Sequence, residues 1–164
     1  MNVRALAIGF GILFGFSGCA RAADSPLEKA AIQKPTAAYR PSAVVYKNES
    51  CGCCKLWVKH LEAHRFEVRV ENVDNMSPIK ERVGVPFGKG SCHTALIDGY
   101  FIEGHVPAED IKRLLRTKPN AKGLVVPGMP LGSPGMEQGG KVQPYDVLLV
   151  DKAGNTSVFA HHGD

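Results

Sequence analysis

Nothing in these 164 residues repeats, and no stretch concentrates charge of one sign. The first absence excludes solenoid and propeller architectures, which announce themselves by a fixed period. The second excludes a nucleic-acid binder of the usual kind: Lys and Arg are interleaved with Asp and Glu throughout, so the formal net charge of +4 builds no basic face. Cysteine is scarce too. There are five in all, Cys19, Cys51, Cys53, Cys54 and Cys92, and three of them fall within four residues. A disulfide framework fits such a distribution badly, because one turn holds three thiols with a single distant partner and the neighbours Cys53 and Cys54 make a strained pair. Nor is there a second Cys-x-x-Cys to complete the usual zinc knuckle.

Long apolar runs are missing except at the start. Arg4 followed by the apolar Ala5 to Phe16 and the small-x-small Ala20-Arg21-Ala22 reads as an export signal over residues 1–22, too short to serve as a membrane span. Phe16-Ser17-Gly18-Cys19 also resembles a lipoprotein box, in which Cys19 carries a lipid and becomes the mature N-terminus. Phe in place of the commoner Leu at the first position favours plain cleavage after Ala22 or Ala23, into the periplasm. Loss of Arg4 and Arg21, with no acidic residue lost, lowers the net charge from +4 to +2. Residues 23–42 carry scattered Pro, Ala and charge and read as a flexible tether. The folded domain is expected over 43–160, with 161–164 as a tail.

Within that domain, Ala43 to Lys47 is short and β-branched, a buried strand. Leu56, Trp57, Val58 and Leu61 recur at helical spacing from Cys53 to His64. Phe66 to Val73 alternates as a strand with one buried face, and Met76 to Val83 forms a short helix ended by Gly84. Cys92–Ile97 and Tyr100–Glu103 flank an Asp98-Gly99 hairpin turn, and Pro107 opens a helix through Leu115. Strand, helix, strand, helix, hairpin, helix is a thioredoxin-like α/β layout, a mixed sheet with flanking helices. Gly123 to Gly140, rich in Gly and Pro and holding Met129 and Met136, shows neither period and reads as a loop. Tyr145–Val150 and Asn155–Ala160 then form a C-terminal β-hairpin.

The chemistry lies where the first strand meets the first helix. Ser50-Cys51-Gly52-Cys53-Cys54 reads as Cys-x-x-Cys, the spacing of thiol–disulfide enzymes, and as Cys-x-Cys-Cys, three sulfurs for a soft metal. A helix N-terminus favours thiolate over thiol, and Lys47 and Lys55 lie near in sequence. In such a layout the entry to the third strand, usually a cis-proline, faces that helix start; here Ser91-Cys92-His93 stands there, so four sulfurs converge. Cu(I) suits this set better than zinc, being soft and content with two or three ligands, and bridging thiolates hold more than one ion. Met129 and Met136 are candidate thioether donors or plain packing residues. His93 and His105 are candidate secondary metal ligands or residues supporting one, with His93 expected on the strand face opposite Cys92. His60 and His64 are spaced for one helix face but read better as a solvated pair, and His161-His162 as part of a disordered tail.

Several runs together carry a family resemblance: Val45-Tyr46-Lys47, Cys51-Gly52-Cys53-Cys54-Lys55-x-Trp57-x-x-His60-Leu61, Ser91-Cys92-His93-Thr94-Ala95, Gly99-Tyr100-x-Ile102-Glu103-Gly104-His105-Val106-Pro107, and Val126-Pro127-Gly128-Met129-Pro130-x-Gly132-Ser133-Pro134-Gly135-Met136-Glu137. Over about Ala43 to Phe159 the chain resembles the CopG-type copper-resistance family, long catalogued as a domain of unknown function and distinct from the plasmid repressors of the same name. The resemblance implies a periplasmic, thioredoxin-like protein that binds copper through Cys51, Cys53, Cys54 and Cys92 and works among copper-handling proteins. The expected function is copper holding in resistance or homeostasis, with Cu(I)/Cu(II) cycling open as an oxidoreductase activity and no residue assigned a catalytic role. The alternatives are a thiol–disulfide oxidoreductase acting through Cys51 and Cys54, and a structural zinc module.

Overall fold

The N-terminal segment of the fold is pinned before the first strand begins. In this computed structural model, which describes residues 39–163, the Tyr39 hydroxyl donates to Asp98 at 2.7 Å and the Pro41 carbonyl accepts from the Glu67 amide at 2.9 Å. The last residues of the expected tether therefore belong to the fold, while the export signal, Cys19 and the rest of the tether lie outside the described residues.

Strand β1 (Ser42–Lys47) sits between β2 (Glu67–Asn72), parallel to it, and β3 (His93–Ile97), antiparallel to it. Helix α1 (Gly52–Ala63) makes the β1–β2 crossover, and α2 (Ser77–Val83) leads from β2 towards β3. β3 turns into β4 (Tyr100–Glu103) through Asp98 and Gly99 at φ 47° and 83°, the two positive values a two-residue hairpin of matching twist requires. Helix α3 (Ala108–Thr117) then carries the chain to β5 (Ala121–Val125), parallel to β4, and β6 (Tyr145–Asp151) and β7 (Thr156–His162) follow antiparallel. Among the described residues the result is one mixed seven-stranded sheet in the order β2-β1-β3-β4-β5-β6-β7, with three helices. Among the described residues no helix is long and apolar enough to cross a membrane.

Alternation along the strands separates two cores. Val45, Ala95, Ile97, Ile102 and Leu124 face Trp57 and Leu61 of α1 and Ile111 and Leu114 of α3 in the main cluster. Phe101 and Val125 face the other way, with Val83 and Val85 at the end of α2 packed against them. Trp57 is fully buried and its indole N–H donates to the Val106 carbonyl at 2.9 Å, which satisfies the one polar atom its burial would otherwise strand.

Three expectations need correction. Residues 121–125, partly assigned to the Gly/Pro loop, form β5 inside the sheet: four of its five residues are buried, so no alternation shows, and Gly123 is needed because a β-carbon would lie 1.9 Å from the Phe101 carbonyl oxygen. Strand β2 is an edge with weak burial rather than one clean buried face; Val70 is exposed and Phe66, just before the strand, does the packing. The C-terminal hairpin continues through His162, so His161 and His162 lie in β7 and not in a tail.

Candidate metal centre

Cys51 closes the first turn of α1 as its N-cap, with its sulfur accepting the Cys54 amide at 3.3 Å. The cap fixes the geometry of the run: Cys53 and Cys54 enter the helix on successive positions, so their side chains leave it about 100° apart. Cys54 is fully buried, and its sulfur lies 3.8 Å from the Cys92 carbonyl oxygen; Cys53 is half-buried, with its sulfur 3.5 Å from that of Cys51 and 3.8 Å from that of Cys92. All four sulfurs lie within 4.8 Å of one another. Cys51 and Cys54 are joined as a disulfide, which leaves Cys53 and Cys92 as the free thiols of the described residues.

Cys92 is the meeting point of two donor groups. Besides the sulfurs, the His93 Nδ1 lies 3.4 Å and the His105 Nε2 3.3 Å from its Sγ, and these three donor atoms also fall within 4.8 Å of one another. The other ring nitrogen of His105 is 2.9 Å from the Pro134 carbonyl, which can only accept, so Nδ1 carries the proton and the Nε2 lone pair points at Cys92. His93 is fully buried between Trp57, ring centroids 4.3 Å apart, and His105, at 4.9 Å; its Nε2 is buried with no hydrogen-bond partner among the described residues. The expectation that His93 faces away from Cys92 fails because β3 begins at His93: Cys92 precedes the strand and does not obey its alternation.

Burial, and then their mutual charge repulsion for His93, hold these imidazoles below their ordinary range, so both are neutral near pH 7 and free to donate a lone pair. The Cys92 thiol moves the other way, pushed up to about 11 by burial first and by the Cys53 sulfur second. A proton therefore stays on Cys92 at neutral pH until a metal displaces it. The helix-start argument for ready thiolates does not extend to this residue, which stands on the facing strand.

The Gly/Pro loop closes one side of the site. A β-carbon on Gly135 would stand 2.8 Å from the Trp57 backbone nitrogen and 2.9 Å from the Cys53 carbonyl oxygen, so loop backbone lies directly on the first turns of α1. The neighbouring Pro134 supplies the carbonyl that orients His105, a contact that the sequence signals only as a run of Gly and Pro. Met136 is half-buried at the turn that follows, while Met129 is 51% exposed. Lys47 is turned to Asn72 and the Asn48 carbonyl, and Lys55 is exposed.

Other histidines are committed elsewhere. His60 Nε2 accepts the Ala108 amide at 3.0 Å, capping α3, and the His64 Nδ1–H donates to the His60 carbonyl at 2.7 Å, so neither ring is arranged for a shared ion. His162 Nε2 pairs with Asp110 and His161 Nδ1 with Asp146, each at 2.6 Å.

A family model described as a protein of unknown function, DUF411, matches residues 89–136, the stretch from the loop before Cys92 through Met136. No curated protein matches. Among solved structures, one described as copper resistance protein CopG, Form 2, is 48% identical, covering 76% of this chain and 99% of its own, with a TM-score of 0.73. Form 1 of the same protein is 47% identical over 77% of this chain and 100% of its own, again at a TM-score of 0.73. Identity at that level, sustained over nearly the whole of those chains, places this protein in the CopG copper-resistance family.

Proposed function

We propose that this chain is an exported copper-binding protein of copper resistance, which holds more than one Cu(I) ion as a thiolate-bridged cargo. The observation that carries this reading is the convergence of the Cys51, Cys53, Cys54 and Cys92 sulfurs within 4.8 Å, with two neutral imidazoles on Cys92. Sulfur and imidazole are donors that Cu(I) prefers, and a site of four sulfurs has room for bridging. The Cys51–Cys54 disulfide sets a condition: a dithiol reductant must supply two electrons and two protons, giving two thiols, before all four sulfurs are available. Export to the periplasm rests on Arg4, the apolar Ala5–Phe16 and Ala20–Ala22; N-terminal sequencing of the mature protein separates cleavage after Ala22 or Ala23 from a lipidated Cys19.

Anaerobic Cu(I) titration of the reduced domain, with elemental analysis, tests the reading. More than one copper per chain, falling in Cys92→Ser, is expected; a reduced protein that retains no copper sinks it. A second reading, a thioredoxin-like thiol–disulfide oxidoreductase, is favoured by the disulfide at the helix start. Against it, the Cys53 sulfur 3.5 Å from Cys51 offers an internal nucleophile that would divert a mixed disulfide from its path. Insulin reduction by metal-free protein, abolished in Cys51→Ser, would establish it.

A further inference from the structure

The run Glu103-Gly104-His105 leaves the end of β4 and meets Ser91-Cys92 residue by residue. His105 reaches the Cys92 sulfur at 3.3 Å. Gly104, at φ 74°, leaves room for Ser91, whose Cβ would be 2.7 Å from a β-carbon placed there. Glu103 takes the Ser91 backbone N–H on Oε1 at 2.5 Å. Its carboxylate is fully buried: Oε1 also pairs with Lys80 of α2, and Oε2 accepts from Thr94 Oγ1 at 2.6 Å. The Ser91 hydroxyl donates in turn to the Gly128 carbonyl, so the residue before Cys92 is held on both sides.

We propose that Glu103 is a positioning residue for the metal centre, its carboxylate fixing the Ser91 amide so that the Cys92 sulfur stands over Cys53. The inference rests on the copper-binding reading above. A buried carboxylate is an expensive way to hold one amide: removed from water it needs its own counter-ion, and Lys80, 19% exposed, supplies it. A purely structural pair in the same place could be replaced by apolar residues at little cost. What apolar residues cannot do is accept the Ser91 N–H. Without that bond the Ser91 hydroxyl and the Gly90 carbonyl still tie the segment to Gly128, but nothing fixes the Ser91 peptide plane, and Cys92 shifts relative to the sulfur group and the His93–His105 group together.

Two double variants separate the acceptor from the charge. Lys80→Met/Glu103→Gln removes both charges and keeps a carbonyl facing Ser91; Lys80→Met/Glu103→Leu removes the acceptor as well. The first is expected to bind Cu(I) as the wild type does. The second is expected to keep its fold and bind about 10–100-fold more weakly, the cost of losing a residue that orients a metal ligand. Combined with Cys92→Ser the Leu variant should add no further loss, whereas general loosening would weaken the Cys51, Cys53 and Cys54 group too. Wild type and Cys92→Ser are titrated alongside: a wild type that takes no copper removes the copper reading itself, while a Cys92→Ser loss with a folded, fully loading Leu variant overturns only the role of Glu103. Hydrogen exchange of the Ser91 amide in the wild-type protein decides the matter even if the Leu variant does not fold. Slow exchange relative to Gly90 is expected, since the Lys89 amide is itself bonded to the Pro86 carbonyl at 3.0 Å, and exchange as fast as that of Gly90 overturns the proposal.

Discussion

Two pairs of histidines occupy this molecule in opposite ways. His93 and His105 come together on Cys92, and the lone pair His105 aims at the sulfur is unspent on any backbone group. His60 and His64 are the pair whose i, i+4 spacing looks more like a metal site, yet His60 has already given its lone pair to the N-terminus of α3. The difference lies in what each ring's second nitrogen does. Donor type and spacing describe a candidate ligand; the hydrogen bond on the other side of the ring decides whether the donor is available.

The largest effect that would break this contrast is at the sulfur both groups share. Cys92→Ser should remove at least one copper per chain, by elemental analysis after anaerobic loading, and retention of the full complement would mean that the two groups do not form one centre. Next comes the thiol redox state: protein loaded without prior reduction should bind fewer copper ions than reduced protein, because the disulfide withholds two of four sulfurs. Equal loading would show that Cys51 and Cys54 are not ligands. His105→Ala should weaken Cu(I) binding by about tenfold, measured by competition with a Cu(I) chelator, while His64→Ala should leave it unchanged.

The smallest effect concerns stability alone. Burial first, then the neighbouring His64, lower His60 from 6.5 to about 4. The unfolded chain therefore takes up a proton that the folded one refuses between those values; the stabilising contribution is whole above pH 6.5 and is lost as pH falls towards about 4. His60→Ala should cost about 1 kcal/mol at pH 7, the value of a lost helix cap. His60→Gln, which keeps an acceptor for the Ala108 amide, should keep most of that stability while flattening the dependence of Tm on pH in this window. An unaltered pH slope in the Gln variant would remove His60 from the account.

How much of this was legible in the sequence follows the range of the interactions involved. The thiols at the helix start and the helix behind them are readable from local spacing, as is the Asp98-Gly99 hairpin, while the capping role of Cys51 is seen only in the structure. Cys92 needed the layout of the whole sheet, and the layout sufficed. The failures were of a different kind. β5 is buried on both faces and carries a glycine dictated by a neighbouring strand, so it shows no period of its own. His93 was assigned by strand alternation across the point where the strand begins. The orientation of His105 depends on Pro134, twenty-nine residues away, and a carbonyl leaves no mark in a sequence.

Strand β1 gives the molecule a direction. The chain enters beside Asp98, where Tyr39 is fastened, runs the six residues of β1, and delivers Cys51 at the other end. At about 3.3 Å per residue that is a separation of roughly 20 Å. The end of the strand that Tyr39 fastens and the end that carries the sulfurs are therefore different ends of the fold, so a change at the Tyr39–Asp98 contact acts on the metal centre only through the length of β1.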